Sequence, residues 1–128
     1  MKKFENVSLC RLSNGYYRYD IDDVKRVIDK ANEKGVFGTV GKSLSVQLNL
    51  EEVAFKCTNL RINEMNNELV GDISLLDTPS GRMLDKLIES LDEGMLKFSS
   101  VGTGSVTDGE VQNFHLLYVS CDINHDAF

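Results

Sequence analysis

Apolar positions in Asp22 to Lys34 fall at Val24, Val27, Ile28 and Ala31, the three-and-four spacing that gathers one face of a helix. Asp20 or Asp22 can cap its start and Gly35 can end it, so the pattern predicts a helix over 22–34. A second helical period runs through "LDTPSGRMLDKLIESLDEG". Asp77 or Thr78 is the cap, Pro79 the first residue, and Met83, Leu84, Leu87, Ile88 and Leu91 an apolar stripe read as core up to Gly94. This predicts a helix over 79–93.

Elsewhere the period shortens. Val7 to Leu12 reads as a strand closed by the turn residues Ser13-Asn14-Gly15. Between Val36 and Leu76 the β-rich pieces Leu44–Leu48, Leu60–Ile62 and Glu68–Leu76 succeed one another, the last two joined by the polar turn Glu64-Met65-Asn66-Asn67. Leu96–Val106, the turn Thr107-Asp108-Gly109 and the alternating run Val111–Val119 read as a final hairpin. Strands between and after two helices predict an α+β chain, a small antiparallel β-barrel flanked by two helices. With 128 residues, 41% of them apolar, it is expected to be one domain spanning 1–128.

Charge removes several function classes. The formal net charge is −6 and no cationic stripe occurs, which argues against a nucleic-acid surface. No apolar run approaches a membrane span, and Met1-Lys2-Lys3-Phe4-Glu5-Asn6 lacks the apolar region of a secretory signal, so a cytosolic location is expected. Cys10, Cys57 and Cys121 are an odd, widely spaced set, expected as reduced and buried thiols.

Motifs for cofactors and metals fail on spacing. "GVFGTVGKS" resembles a phosphate loop, but the glycine needed five residues before Gly41 is Val36, and Gly102-Thr103-Gly104 leads into a strand instead of a helix. His115, Cys121, Asp122, His125 and Cys57 lack paired ligand spacing. The carboxylate pairs Asp22-Asp23, Glu51-Glu52 and Asp92-Glu93 sit at helix ends or polar turns, where the macrodipole and solvation explain them. No cofactor and no metal are expected.

"LKFSSVGTGSV" poses the remaining chemical question, because its adjacent serines Ser99 and Ser100 are nucleophiles only if a base takes a proton and donors hold an oxyanion. Here a resemblance enters. "SNGYYRYDIDDVKRVIDKA", "VFGTVGKS", "ELVGDISLLDTPSGRMLDKLI" and "KFSSVGTGSV" resemble, in this order and from Leu9 to about Asp122, segments of the prohead core protease family of tailed phages. That family is distantly akin to the herpesvirus assemblins. The resemblance implies a β-barrel wrapped by helices, and an activity that cleaves scaffold and capsid proteins through a serine, a histidine and an acidic residue.

Carried over by residue, Ser99 falls at the nucleophile, Lys42 replaces the histidine, Ser43 replaces the proline after it, and Val101 replaces the arginine after the serines. Asp122 is the candidate for the acidic partner. A triad without its base loses roughly 10⁴ or more in rate. The expectation is therefore a non-catalytic virion or head-assembly protein that binds capsid, scaffold or other virion proteins, or copies of itself, in the host cytoplasm or within the virion. Two routes to an active endopeptidase stay open: a Ser–Lys dyad through a desolvated Lys42, or rescue by His115 or His125. A third reading is a small acidic phage protein that antagonises a host defence factor. Tyr16, Tyr17 and Tyr19 are open between interface anchors and packing beneath the first helix.

Overall fold

The computed structural model describes residues 2–41, 51–91 and 95–123, with Ile123 described by its backbone alone. Its elements run β1 (Lys3–Arg11), β2 (Arg18–Tyr19), α1 (Ile21–Lys34), β3 (Val36–Val40), β4 (Val53–Asn63), β5 (Glu68–Leu75), α2 (Pro79–Ser90), β6 (Leu96–Thr107) and β7 (Glu110–Ile123). The expected strand Leu44–Leu48, and Asp92, Glu93 and Gly94, lie outside the described residues; the helix expected over 79–93 is corrected within them, because Leu91 is extended and its N–H closes the last turn on the Ile88 carbonyl at 3.2 Å.

Local signals set both helix starts. Asp20 caps α1 by accepting from the Asp22 N–H at 3.0 Å, and Gly35, at φ 77°, ends it by donating to the Ala31 carbonyl at 2.7 Å. Thr78 caps α2 by accepting from the Gly81 N–H at 3.0 Å, while its hydroxyl donates to the Val53 carbonyl and so ties the helix start to β4. Val24 and Val27 of α1 are buried, and Ile28 and Ala31 pack partly buried against the core. The α2 stripe divides instead. Leu84 and Ile88 are buried, whereas Met83 is 49% and Leu87 39% exposed, which corrects the reading of the whole stripe as core. The α2 surface that meets β4 and β5 is narrower than the apolar period, so its flanks face outward.

The strands form one curled sheet, ordered β1-β5-β4-β3-β7, with β6 on the far side of β7. The expected antiparallel barrel is corrected in two respects. β3 and β2 both pair with β7 in parallel, at Gly38–Val119 through Val40–Cys121 and at Arg18–Glu110 and Tyr19–Val111, so the sheet is mixed. Among the described residues no backbone ladder joins β1 to β6, so the barrel is open there. Side chains cross the opening: the Phe4 and Phe98 rings lie 5.9 Å apart, and Phe98 stands edge-on to Phe55 at 5.3 Å. Parallel pairing follows from α1, which carries the chain back between β2 and β3 as a crossover.

The hairpins β4–β5 and β6–β7 are antiparallel as expected, and Asp108 (φ 51°) and Gly109 (φ 77°) supply the positive dihedrals of the second turn. Inside the curl Phe55, Ile73, Val119 and Cys57 are fully buried and join Val24, Leu84 and Ile88 in one core. Desolvation pushes the Cys57 and Cys121 thiols up to about 12, with Asp72 and Asp122 respectively adding to it, so both are poor thiolates. All three cysteines are free; Cys10 is half-buried.

Polar side chains fasten the bulges of the sheet. Register shifts fall between Phe4 and Val7 on β1 and between Thr58 and Arg61 on β4, where Asn6 and Asn59 take positive φ. Asp72 of β5 sits between them, accepting from the Asn6 N–H at 3.2 Å, the Asn59 amide at 3.0 Å and the Arg61 guanidinium at 3.3 Å. On the other side of the sheet Asn32 of α1 binds both backbone groups of Leu60, accepting from its N–H at 2.8 Å and donating to its carbonyl at 2.9 Å.

The Asn59 amide, the Asn6 N–H and Arg61 hold the Asp72 carboxyl below the ordinary aspartate range. Asp23 is also lowered: desolvation acts upward, and hydrogen bonds from the Phe114 N–H and Arg26 outweigh it. Both groups contribute stability that is complete above the unfolded aspartate value of about 3.9 and is lost as pH falls through their lower folded values. The thermal midpoint is therefore expected to drop below about pH 4, and Asp72→Asn to lower the midpoint at neutral pH while flattening the acid slope. An acid slope unchanged in that variant would refute the assignment.

Candidate functional site

Ser99 stands on β6 opposite Ser120 of β7, and Ser120 stands beside Thr39 of β3. Cross-strand partners project to the same face, so the three hydroxyls form a row across three strands. Their neighbours Phe98, Val119 and Cys121 point the other way into the core. This alternation makes the site: a strand with one face committed to the core must present Ser99 and Lys97 on the opposite face.

Thr39 is 3% exposed and Ser120 fully buried, and each has found a partner. The Thr39 hydroxyl donates to the Gly41 carbonyl at 2.6 Å, and the Ser120 hydroxyl donates to the Asp122 carboxylate at 3.4 Å. Ser99 is half-buried and borders an open pocket of about 490 Å³ with Lys97, Ser120 and Asp122. Among the described residues no side chain hydrogen-bonds to the Ser99 hydroxyl. Lys97 lies two residues away on the same face, across from Asp122, and is exposed, whereas a lysine base needs a desolvated amine.

His115, the one histidine among the described residues, pairs with Thr103 instead. Five residues separate it from Ser120, about 16 Å along a strand, and it borders a different groove, against α1. Lys42, Ser43 and His125 lie outside the described residues. Val101, the residue after the two serines, pairs with Tyr118 and carries no side-chain donor. Asp122 is brought to the pocket through Ser120, one strand away from Ser99.

Ser100 faces the opposite way from Ser99. It lies near the half-buried thiol of Cys10 and the Tyr19 side chain at the β1–β6 opening, and the Cys10 thiol donates to the Arg11 carbonyl at 3.6 Å. Desolvation raises Cys10 and pushes Tyr19 up to about 12, so neither is a base for a neighbouring hydroxyl. The tyrosine group divides accordingly. Tyr19 packs edge-on to Phe114 at 5.3 Å beneath α1, Tyr17 packs on Tyr19 at 5.8 Å, and Tyr16 is 92% exposed. Among the described residues no group of histidine, cysteine and carboxylate side chains is arranged to hold a metal ion.

The candidates Ser99, Val101 and Asp122 line one pocket, but the row through Ser120 and Thr39 is not legible in the sequence, because the β3–β7 pairing that builds it is parallel and non-local. The signal that could have pointed to it is polar residues, Thr39 and Ser120, inside otherwise apolar strand runs.

No family model matches the chain, and no curated protein matches it in sequence. Its fold is similar to that of the bacteriophage T4 capsid assembly protease, gp21, with a TM-score of 0.73 at 14% identity, over 95% of this chain and 80% of that one. The likeness covers nearly the whole chain and is one of fold: two helices on a curled, mixed, half-closed sheet.

Proposed function

We propose that this chain is a phage head-assembly protein that keeps the fold of a capsid assembly protease and acts by binding other proteins without cleaving them. Its partners are capsid, scaffold or other virion proteins, or further copies of itself, met in the host cytoplasm or inside the virion. One observation carries the reading: Ser99 occupies a pocket in which the described residues offer a carboxylate and an exposed lysine but no imidazole. A serine hydroxyl without a base is a weak nucleophile, and loss of the base costs roughly 10⁴ or more in rate. Lysine in place of the histidine at Lys42, and valine in place of the arginine at Val101, support the same reading from the sequence. The fold likeness supports the phage-head context without supplying the chemistry.

The test is labelling with a fluorophosphonate probe across the range in which a base-assisted serine works, roughly pH 6–9. No labelling of Ser99 is expected, together with co-sedimentation of the protein with assembling heads or scaffold. Labelling that Ser99→Ala abolishes, with cleavage of a capsid-protein mixture, would make it an active endopeptidase through Lys42 or a histidine. Capture of a host factor and of no virion protein would make it an antagonist of host defence.

A further inference from the structure

A groove of about 440 Å³ runs between the C-terminal half of α1 and the middle of β7, away from the serine row. Ala31, Val36 and Leu116 give it an apolar lining, and Lys30 and Lys34 of α1 line it as well. At the same groove Phe37 is 49% and Leu117 38% exposed, a large apolar area that no described element covers.

The charge around it is opposite to that of the chain. Among the described residues no aspartate or glutamate lines the groove, and neither Lys30 nor Lys34 has an ion pair. Arg26 is engaged by Asp23 at 2.7 Å. Lys56 extends the cationic side, its ammonium 5.9 Å from the centre of the Phe37 ring. A protein of net charge −6 thus has a cationic, apolar groove, and such a site attracts a ligand that is acidic and apolar together. A nucleic acid lacks the apolar side chains, and the net charge repels it.

We propose that this groove seats an acidic segment of a partner polypeptide, with its bulky apolar side chains along Ala31, Val36 and Leu116 and its carboxylates on Lys30 and Lys34. The inference rests on the reading of the chain as a binding protein and adds where and what it binds. A groove of this size takes a short linear segment, so affinity in the micromolar range is expected.

The probe is a fluorescein-labelled peptide of Glu and Asp with Leu and Phe at helical spacing, titrated by anisotropy beside two controls. One control replaces its acids by Lys, the other its apolar residues by Ser. Saturable binding of the first peptide alone is expected. Lys30→Glu with Lys34→Glu should weaken it at least roughly tenfold, Phe37→Ser several-fold, and added salt should weaken it too. These are exposed positions, and an unchanged thermal midpoint will certify the fold of each variant.

Equal binding of all three peptides, or no effect of the lysine variants, overturns the proposal. So does binding to phosphatidylserine vesicles without peptide binding, or a wild-type dimer that the lysine variants dissociate. Co-sedimentation with assembling heads separates this failure from that of the broader reading. If it persists while the peptide does not bind, the groove assignment falls alone; if the peptide binds and no head protein does, the phage-head reading falls and the groove stands.

Discussion

Gly81→Ala is expected to destabilise the protein by about 3 kcal/mol, although alanine is the better helix former by about 1 kcal/mol. A Cβ at this position would lie 1.9 Å from the Leu76 carbonyl oxygen and 2.8 Å from that of Ala54. Both are backbone atoms, so no side-chain rotation relieves the collision. Leu76 is itself fixed, its N–H donating to the Ala54 carbonyl at 3.0 Å, and Thr78 holds the Val53 carbonyl one residue away. The only relief is to lift the start of α2 from β4, which also exposes Leu84 and Ile88. Urea unfolding of the two proteins measures the difference, and a variant as stable as the parent would show that α2 does not approach β4 this closely.

The second large effect is expected at Asp23. Its carboxylate accepts from the Phe114 N–H at 2.8 Å and from Arg26 at 2.7 Å, while Arg26 donates to the Phe114 carbonyl at 3.1 Å. Two side chains of α1 therefore satisfy both backbone groups of one residue on β7, next to Asn113, whose positive φ marks the irregularity of the strand. Asp23→Ala removes a charge-assisted bond and leaves a half-buried N–H without its partner, a loss of roughly 3 kcal/mol. Asp23→Asn keeps one acceptor oxygen and should lose less. Hydrogen exchange at the Phe114 amide is the specific readout: faster exchange there in Asp23→Ala, ahead of the rest of β7, is expected. Exchange that rises uniformly over the sheet would refute a local clamp.

These two positions also separate what is local in this fold from what is not. Asp23 is legible in the sequence only as an acidic residue in the first turn of a helix, and Gly81 only as a poor helix former. Their effects come from β7 and from the β4–α2 approach, elements that lie 91 residues away for Asp23 and Phe114. The candidate site behaves likewise. Ser99 is a candidate from order and residue type, but its company with Ser120 and Thr39 follows from register. The distance from Ser99 to His115 also follows from register: both stand on one hairpin, where Ser99 pairs with Ser120 near its open end and His115 with Thr103 in its middle.

By itself the sequence determined the helix starts, the two hairpins and the α+β class. Each rests on contacts within a few residues: Asp20 with Asp22, Thr78 with Gly81, Asp108 and Gly109 in their own turn. Only the tertiary structure decided that β3 and β2 run parallel to β7, that the barrel stays open between β1 and β6, and that Met83 and Leu87 face outward. The physical reason is that period and capping fix which side of an element is apolar, whereas the partner that covers that side, and how much of it, depends on packing between segments far apart in the chain.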